Sequence, residues 1–199
     1  MALTGVLRPG LIQLRVLDMK AAKQHYIDRL GLNLVGEEPD GRVYLKAYDE
    51  FDRHSIILRE APEAGFDLMA FRVTRNSDLD GFEARIKDYG YQVEHIQAGE
   101  QPGVGRRISF MLPSGHRIEL FADIDRAASH PSTTNPDIWT EEPHGMGAIR
   151  FDHALLYGPH IDEVQDFFEK ALDFRCTEKI VLPDGMLATW LSCGMKAHD

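Results

Sequence analysis

Cysteine is nearly absent. Cys176 and Cys193 are the only two in 199 residues, too few for a disulfide framework and too far apart for the paired spacing of a zinc site. No run of about 20 apolar residues occurs, so nothing reads as a membrane-spanning helix. Lysine and arginine number 22 against 32 aspartates and glutamates, a formal charge of −10, and they form no cluster. A nucleic-acid backbone or an anionic membrane would need such a cationic footprint, so neither is expected as a partner. The first ten residues carry Arg8 but lack the apolar core of a secretory signal. The expectation is a cytoplasmic protein. What remains, 43% hydrophobic and 27% charged residues, is an ordinary globular composition.

The chain repeats itself. Leu11–Asp18 reads as a strand, and Asp18 is placed to cap a following helix. Met19, Ala22, Tyr26 and Leu30 then fall on one helical face, and Gly31 stands where a left-handed residue ends a helix. Three short strands are expected after it, at Leu32–Gly36, Arg42–Ala47 and Ser55–Arg59. The same order returns with a strand at Leu68–Val73 and a helix from Ser77 bearing Leu79, Phe82, Ile86 and Tyr89. Gly90 closes that helix, and strands at Gln92–Ile96, Arg107–Met111 and Arg117–Phe121 follow. A third copy opens with a strand at Ile149–Tyr157. It continues with a helix bearing Ile161, Val164, Phe168 and Leu172, ended by Asp173, and with strands near Arg175–Leu182 and Met186–Leu191.

The helix ends at positions 31, 90 and 173 are 59 and then 83 residues apart. The excess of 24 falls on Ala122–Gly147, which holds three prolines and no period and reads as a connection between domains. The expected fold class is α+β, built from β-α-β-β-β modules. Two modules are paired over residues 1–122, a linker covers 123–147, and most of a third module covers 148–199. One module buries one face of its sheet under its own helix and needs another module for the other face. The third has none in this sequence, so either another chain completes it or the polypeptide continues.

Several stretches resemble one known superfamily. RFDHALLYG (150–158), PSGHRIELF (113–121), RPGLIQLRVLDM (8–19), GRVYLKA (41–47) and KAHD (196–199) look like the vicinal oxygen chelate superfamily. Within it they resemble the catechol 2,3-dioxygenases, extradiol ring-cleaving enzymes. The resemblance implies Fe(II) held by two His and one Glu, a facial set that leaves positions open for substrate and O2. It makes His153 the first metal ligand, and it puts the second His and the Glu in a fourth module that this sequence does not contain. His198 matches the family's acid–base imidazole, and Trp190, in ATWLS, matches an aromatic wall for the substrate. The implied partners are catechol or a substituted catechol and O2, and the implied assembly is a homotetramer.

Without the resemblance, His153 in an apolar strand reads as a core histidine, His198 as a terminal residue and Trp190 as core packing. Gln13 occupies the position matching His153, and Glu119 the position of the family's carboxylate. They form either a metal pair, as in glyoxalase-like relatives, or a vestigial site with a satisfied buried Glu. His116 reads as a turn residue. His25, His54, His95, His130, His144 and His160 have no ligand spacing, and Gly103 and Gly105 do not open a helix, so phosphate binding has no support. Three functions follow: extradiol cleavage of catechol to 2-hydroxymuconic semialdehyde, a non-catalytic binding or assembly module, and a glyoxalase-like isomerase using the first two modules.

Overall fold

The computed structural model describes residues 5–128 and 142–199. Contacts divide the chain into two units. One comprises the N-terminal stretch to Gly10, Leu68–Asp123 and Asp152–Asp199, and the other comprises Leu11–Asp67 and Ile124–Phe151.

In the second of these, β1 (Val6–Val16, from Leu11 onward) leads into α1 (Met19–Lys23), then β2 (Asn33–Glu37), β3 (Val43–Lys46) and β4 (Ile56–Glu60). The strand order is β2-β3-β4-β1, with β4 antiparallel to β3 and parallel to β1. Asp18 caps α1 by accepting the Ala21 N–H at 2.9 Å. The helix widens after Lys23 into a π-type turn over Gln24–Arg29, where the Leu30 N–H reaches back to the His25 carbonyl. Met19, Tyr26, Ile27 and Leu30 thereby all pack on a core of Ala22, Leu32, Val43, Leu45, Ala47 and Leu58.

Gly31 ends this helix at φ +83°, and a Cβ there would come within 2.0 Å of the His144 carbonyl oxygen. Only glycine admits that approach. The Met146 N–H then bonds the Arg29 carbonyl and the Ala148 N–H the Leu30 carbonyl, while the Arg53 N–H bonds the Asp125 carbonyl. The described ends of the proline-containing segment are therefore docked by main-chain bonds. Residues 129–141 of it, with His130, lie outside the described residues.

The other unit repeats the arrangement with β5 (Gly65–Val73, from Leu68 onward), α2 (Asn76–Tyr89), β6 (Glu94–Ile96), β7 (Arg107–Met111) and β8 (Arg117–Phe121), in the order β5-β8-β7-β6. Here β8 is parallel to β5 and antiparallel to β7. Gly90 caps α2 at φ +109°. The third copy contributes α3 (Ile161–Leu172) and an antiparallel pair, β9 (Arg175–Leu182) and β10 (Gly185–Ser192). Asp173 takes the left-handed cap at φ +60°, and its carboxylate pairs with Arg85 at 2.7 Å.

α3 is held by aromatic packing. Phe167 is fully buried, its ring centroid 4.6–5.4 Å from those of Tyr89, Tyr91 and Phe110, and Phe168 meets Phe71 and Phe174. The Tyr89 hydroxyl donates to Asp166 and the Tyr91 hydroxyl to Glu163. Burial and the Asp166 carboxylate push the Tyr89 phenol up to about 12.

One expectation is corrected. Ile149–Tyr157 is not a strand: among the described residues, 152–157 make no hydrogen bond from main chain to main chain. In the first two copies the opening strand is held by its module's fourth strand, β4 or β8. In the third copy, among the described residues, the two strands that follow the helix pair with each other and not with the opening segment.

Candidate functional site

His153 lies on that extended segment, and His198 lies on the turn that follows β10. The fold brings them together with ring centroids 4.5 Å apart and planes at 89°. An edge-to-face contact of this kind aims one ring's edge at the other's face. His153 Nδ1 is 3.0 Å from Asp152 Oδ2. With Nδ1 turned to a carboxylate, Nε2 is the ring nitrogen left for another partner.

Three charged residues tie this corner together. Lys196 Nζ donates to Asp152 Oδ1 at 2.9 Å and to the Asp152 carbonyl at 2.8 Å, and it pairs with Asp199 Oδ1 at 3.0 Å. Asp199 Oδ2 accepts from Ser192 Oγ and from the Cys193 N–H, both at 2.9 Å. The Asp152 carboxyl is held low by its hydrogen bonds to Lys196 and His153. Burial would raise the Asp199 carboxyl, but its bonds from Lys196, Ser192 and Cys193 outweigh that and hold it low as well. Burial, with the Asp199 charge beside it, pushes the Cys193 thiol up to about 12, which makes it an inert thiol.

Trp190 sits on β10 and lines an apolar cavity of about 640 Å3 with Phe168, Phe174, Leu155, Tyr157 and Leu187. Ser114, His116, Thr189 and Asp199 supply its few polar edges. Neither His153 nor His198 lines it, so the structure joins the two imidazoles but not the tryptophan to them. His116, read from sequence as a turn residue, borders this cavity with Nδ1 2.9 Å from Ser114 Oγ, and burial lowers its pKa. Gly158 packs closely on the same turn, where a Cβ would meet the Ser114 Cβ at 2.9 Å.

The residues matching a metal pair in the earlier copies have other partners. Gln13 Nε2 donates to Asp67 Oδ2 at 2.8 Å. Glu119, 2% exposed, has Oε2 3.0 Å from Arg107 Nη1, an ion contact without hydrogen-bond alignment. Burial pushes the Glu119 carboxyl up against the opposing effect of Arg107. The ladder sets Ala70 beside Glu119, with no imidazole there.

Among the described residues no group of three His, Cys, Asp or Glu side chains is arranged to hold a metal ion. His153 is exposed, and among the described residues it belongs to no closed donor set. Also among the described residues, no helix is long and apolar enough to cross a membrane. Sequence reasoning missed Asp152, Lys196 and Asp199 as supports. Their signal was present, since two of them flank His198 in the KAHD stretch and the third precedes His153.

The family model for the catechol 2,3-dioxygenase-like N-terminal domain matches residues 66–125. A metapyrocatechase from Pseudomonas sp. (strain CF600) is 43% identical over 98% of this chain and 64% of its own length. A manganese-dependent 2,3-dihydroxybiphenyl 1,2-dioxygenase from Geobacillus genomosp. 3 is 26% identical over 96% of this chain and 61% of its own. The chain thus spans less than two thirds of the length of these curated relatives. The crystal structure of the 2,3-dioxygenase LapB from Pseudomonas sp. KL28 superposes with a TM-score of 0.94 at 42% identity, covering all of this chain and 70% of that one. With the β-α-β-β-β repeat seen in two full copies and begun in a third, the chain belongs to the extradiol dioxygenases of the vicinal oxygen chelate superfamily.

Proposed function

We propose that this chain serves extradiol cleavage of catechol, or a substituted catechol, by O2 to give 2-hydroxymuconic semialdehyde, with Fe(II) as the metal. The contact between His153 and His198 carries this reading. Two imidazoles 45 positions apart in sequence meet edge to face, His153 with the Asp152 carboxylate on Nδ1.

In this reading each residue has a separate task. His153 offers Nε2 to the metal while Asp152 holds its ring orientation. His198, with no role in holding the ion, accepts the proton that a catechol hydroxyl gives up on binding and returns it during ring cleavage, the work of a positioned general acid–base group. The Trp190 indole presents a flat apolar surface to an aromatic ring. Iron preference over manganese, a homo-oligomeric assembly and a cytoplasmic location belong to this proposal and rest on the family resemblance and the composition.

The test uses the protein as its own host expresses it. His153→Ala is expected to abolish iron retention, and near-normal iron content would sink the ligand assignment. His198→Phe is expected to retain iron and slow turnover by about 10²–10⁴-fold, the usual contribution of a positioned general acid–base group. Unchanged turnover would remove His198 from the mechanism.

A further inference from the structure

The two stretches of chain that carry the paired imidazoles are held very unevenly. The turn that bears His198 is fastened to the hairpin before it. The Asp199 N–H donates to the Leu191 carbonyl at 2.9 Å, and Asp199 Oδ2 accepts from Ser192 Oγ and the Cys193 N–H. From β9, Arg175 Nη2 donates to the Lys196 carbonyl at 3.4 Å and Thr177 Oγ1 to the Ala197 carbonyl. The segment that bears His153 has no such frame, since among the described residues 152–157 make no hydrogen bond from main chain to main chain. What holds it against the turn is side-chain contact.

Lys196 makes the crossing. Its Nζ donates to the Asp152 carbonyl at 2.8 Å and to Asp152 Oδ1 at 2.9 Å, and it pairs with Asp199 Oδ1 at 3.0 Å. An ammonium has three N–H groups, and here they have three acceptors, two on the residue before His153 and one on the residue after His198. The Asp199 side chain is 1% exposed, so that end of the bridge is fixed. An ion pair between two exposed side chains would count for little. This one differs because the Asp152 carbonyl belongs to the peptide group that joins Asp152 to His153, and a planar group held at its oxygen fixes where the His153 Cα begins. The Asp152 carboxylate turns its other oxygen to His153 Nδ1. The same ammonium therefore governs both the backbone entering His153 and the carboxylate that orients its ring. Burial would lower the Lys196 ammonium, but its bonds to Asp152 and Asp199 outweigh that and hold it above the ordinary lysine value, so it is charged at neutral pH.

We propose that Lys196 is a positioning residue of this site: its ammonium, acting through Asp152, sets the His153 ring against His198 and fixes the 4.5 Å separation of the two. It is not itself a reacting group. The geometric role stands apart from any reaction, whereas its consequence for a metal rests on the function proposed above. An imidazole held in place before the ion arrives binds it more tightly, and loss of such an outer support costs about 10–100-fold in metal affinity.

The test replaces Lys196 in the protein as its own host expresses it. Lys196→Met keeps the apolar stem and removes every donor, and Lys196→Arg keeps a cation that donates to carboxylate and carbonyl oxygens. The first readout is taken without metal, as the nuclear Overhauser effect between the ring protons of His153 and His198 in histidine-labelled protein. It is expected to be lost in Lys196→Met and kept in Lys196→Arg. Iron affinity, the second readout, is expected to fall by about 10–100-fold in the methionine variant and to recover with arginine. Amide exchange of Asp199 is expected to stay unchanged in both, because Ser192 and Cys193 still hold its carboxylate. An undiminished ring contact in Lys196→Met would overturn the inference. So would equal loss of that contact in both variants, or its loss together with the protection of Asp199, since the latter would assign Lys196 to the turn and not to the crossing. A lost ring contact with iron affinity unchanged would leave Lys196 in this role and count against His153 as a ligand, so the two readings fail separately.

Discussion

The opening segments of the first and third copies share a place in the repeat and differ in what holds them. β1 is secured twice. It forms a five-residue parallel ladder with β4, and its side chains Gln13 and Arg15 converge with Arg59 of β4 on Asp67. Among the described residues 152–157 have no ladder, and Asp152 is tied to Lys196 by an ion pair between two well-exposed side chains. The third copy owes its place to its helix, through Phe167 and Phe168. In the third copy the helix is thus packed while the opening segment, which bears His153, has no ladder partner among the described residues.

The largest effect should come from breaking the helix's hold. Phe167 is fully buried among Tyr89, Tyr91 and Phe110, and Phe167→Ala removes most of a ring from a close-packed site, an expected loss of about 3–5 kcal/mol. Amide exchange in α3 should rise toward that of an open segment while the β1–β4 ladder keeps its protection. Loss of protection in both places together would show that the third copy is not held separately.

A smaller effect should come from the charged cluster on the first copy. Burial would raise the Asp67 carboxyl, but Arg59, Gln13 and Arg15 outweigh it and hold it below the ordinary carboxylate value. For a depressed carboxylate the stabilisation is complete above its unfolded pKa of about 3.9 and disappears as pH falls through the folded value. Asp67→Asn should therefore cost about 1.5–3 kcal/mol at pH 7, the worth of hydrogen bonds to a charged group, and the cost should vanish in acid. Urea midpoints of the two proteins at pH 7 and near pH 2 measure it; a cost independent of pH would assign the effect to packing.

Much of this was legible before any coordinates. Gly31, Gly90 and Asp173 marked the helix ends because a left-handed residue there is a local requirement, and Asp18 caps as its side chain dictates. The widened turn over Gln24–Arg29 was not legible, since Met19, Ala22, Tyr26 and Leu30 keep an α-helical period and one inserted residue leaves that pattern intact. The segment at 152–157 has the apolar character of a strand, but a strand needs a neighbour and sequence pattern does not say whether one is present. At the site, His153 and His198 were visible only through resemblance, because their meeting is a long-range contact that no local period encodes. Asp152 escaped notice for the opposite reason: an acidic residue beside a histidine is too common to stand out until the geometry shows it on Nδ1.

The smallest expected effect is the sharpest probe of the difference between the copies. Leu155 is 69% exposed, so Leu155→Ala in this chain should change stability by no more than about 0.5 kcal/mol, as for surface substitutions generally. In copy one Leu58, central in the ladder beside β1 and fully buried, should cost about 2–5 kcal/mol when cut to alanine. Urea midpoints of the two variants measure both costs; a cost at Leu155 matching that at Leu58 would show that residues 152–157 are packed as tightly as the β1–β4 ladder, whereas a cost confined to Leu58 assigns the difference between the copies to how each opening segment is held.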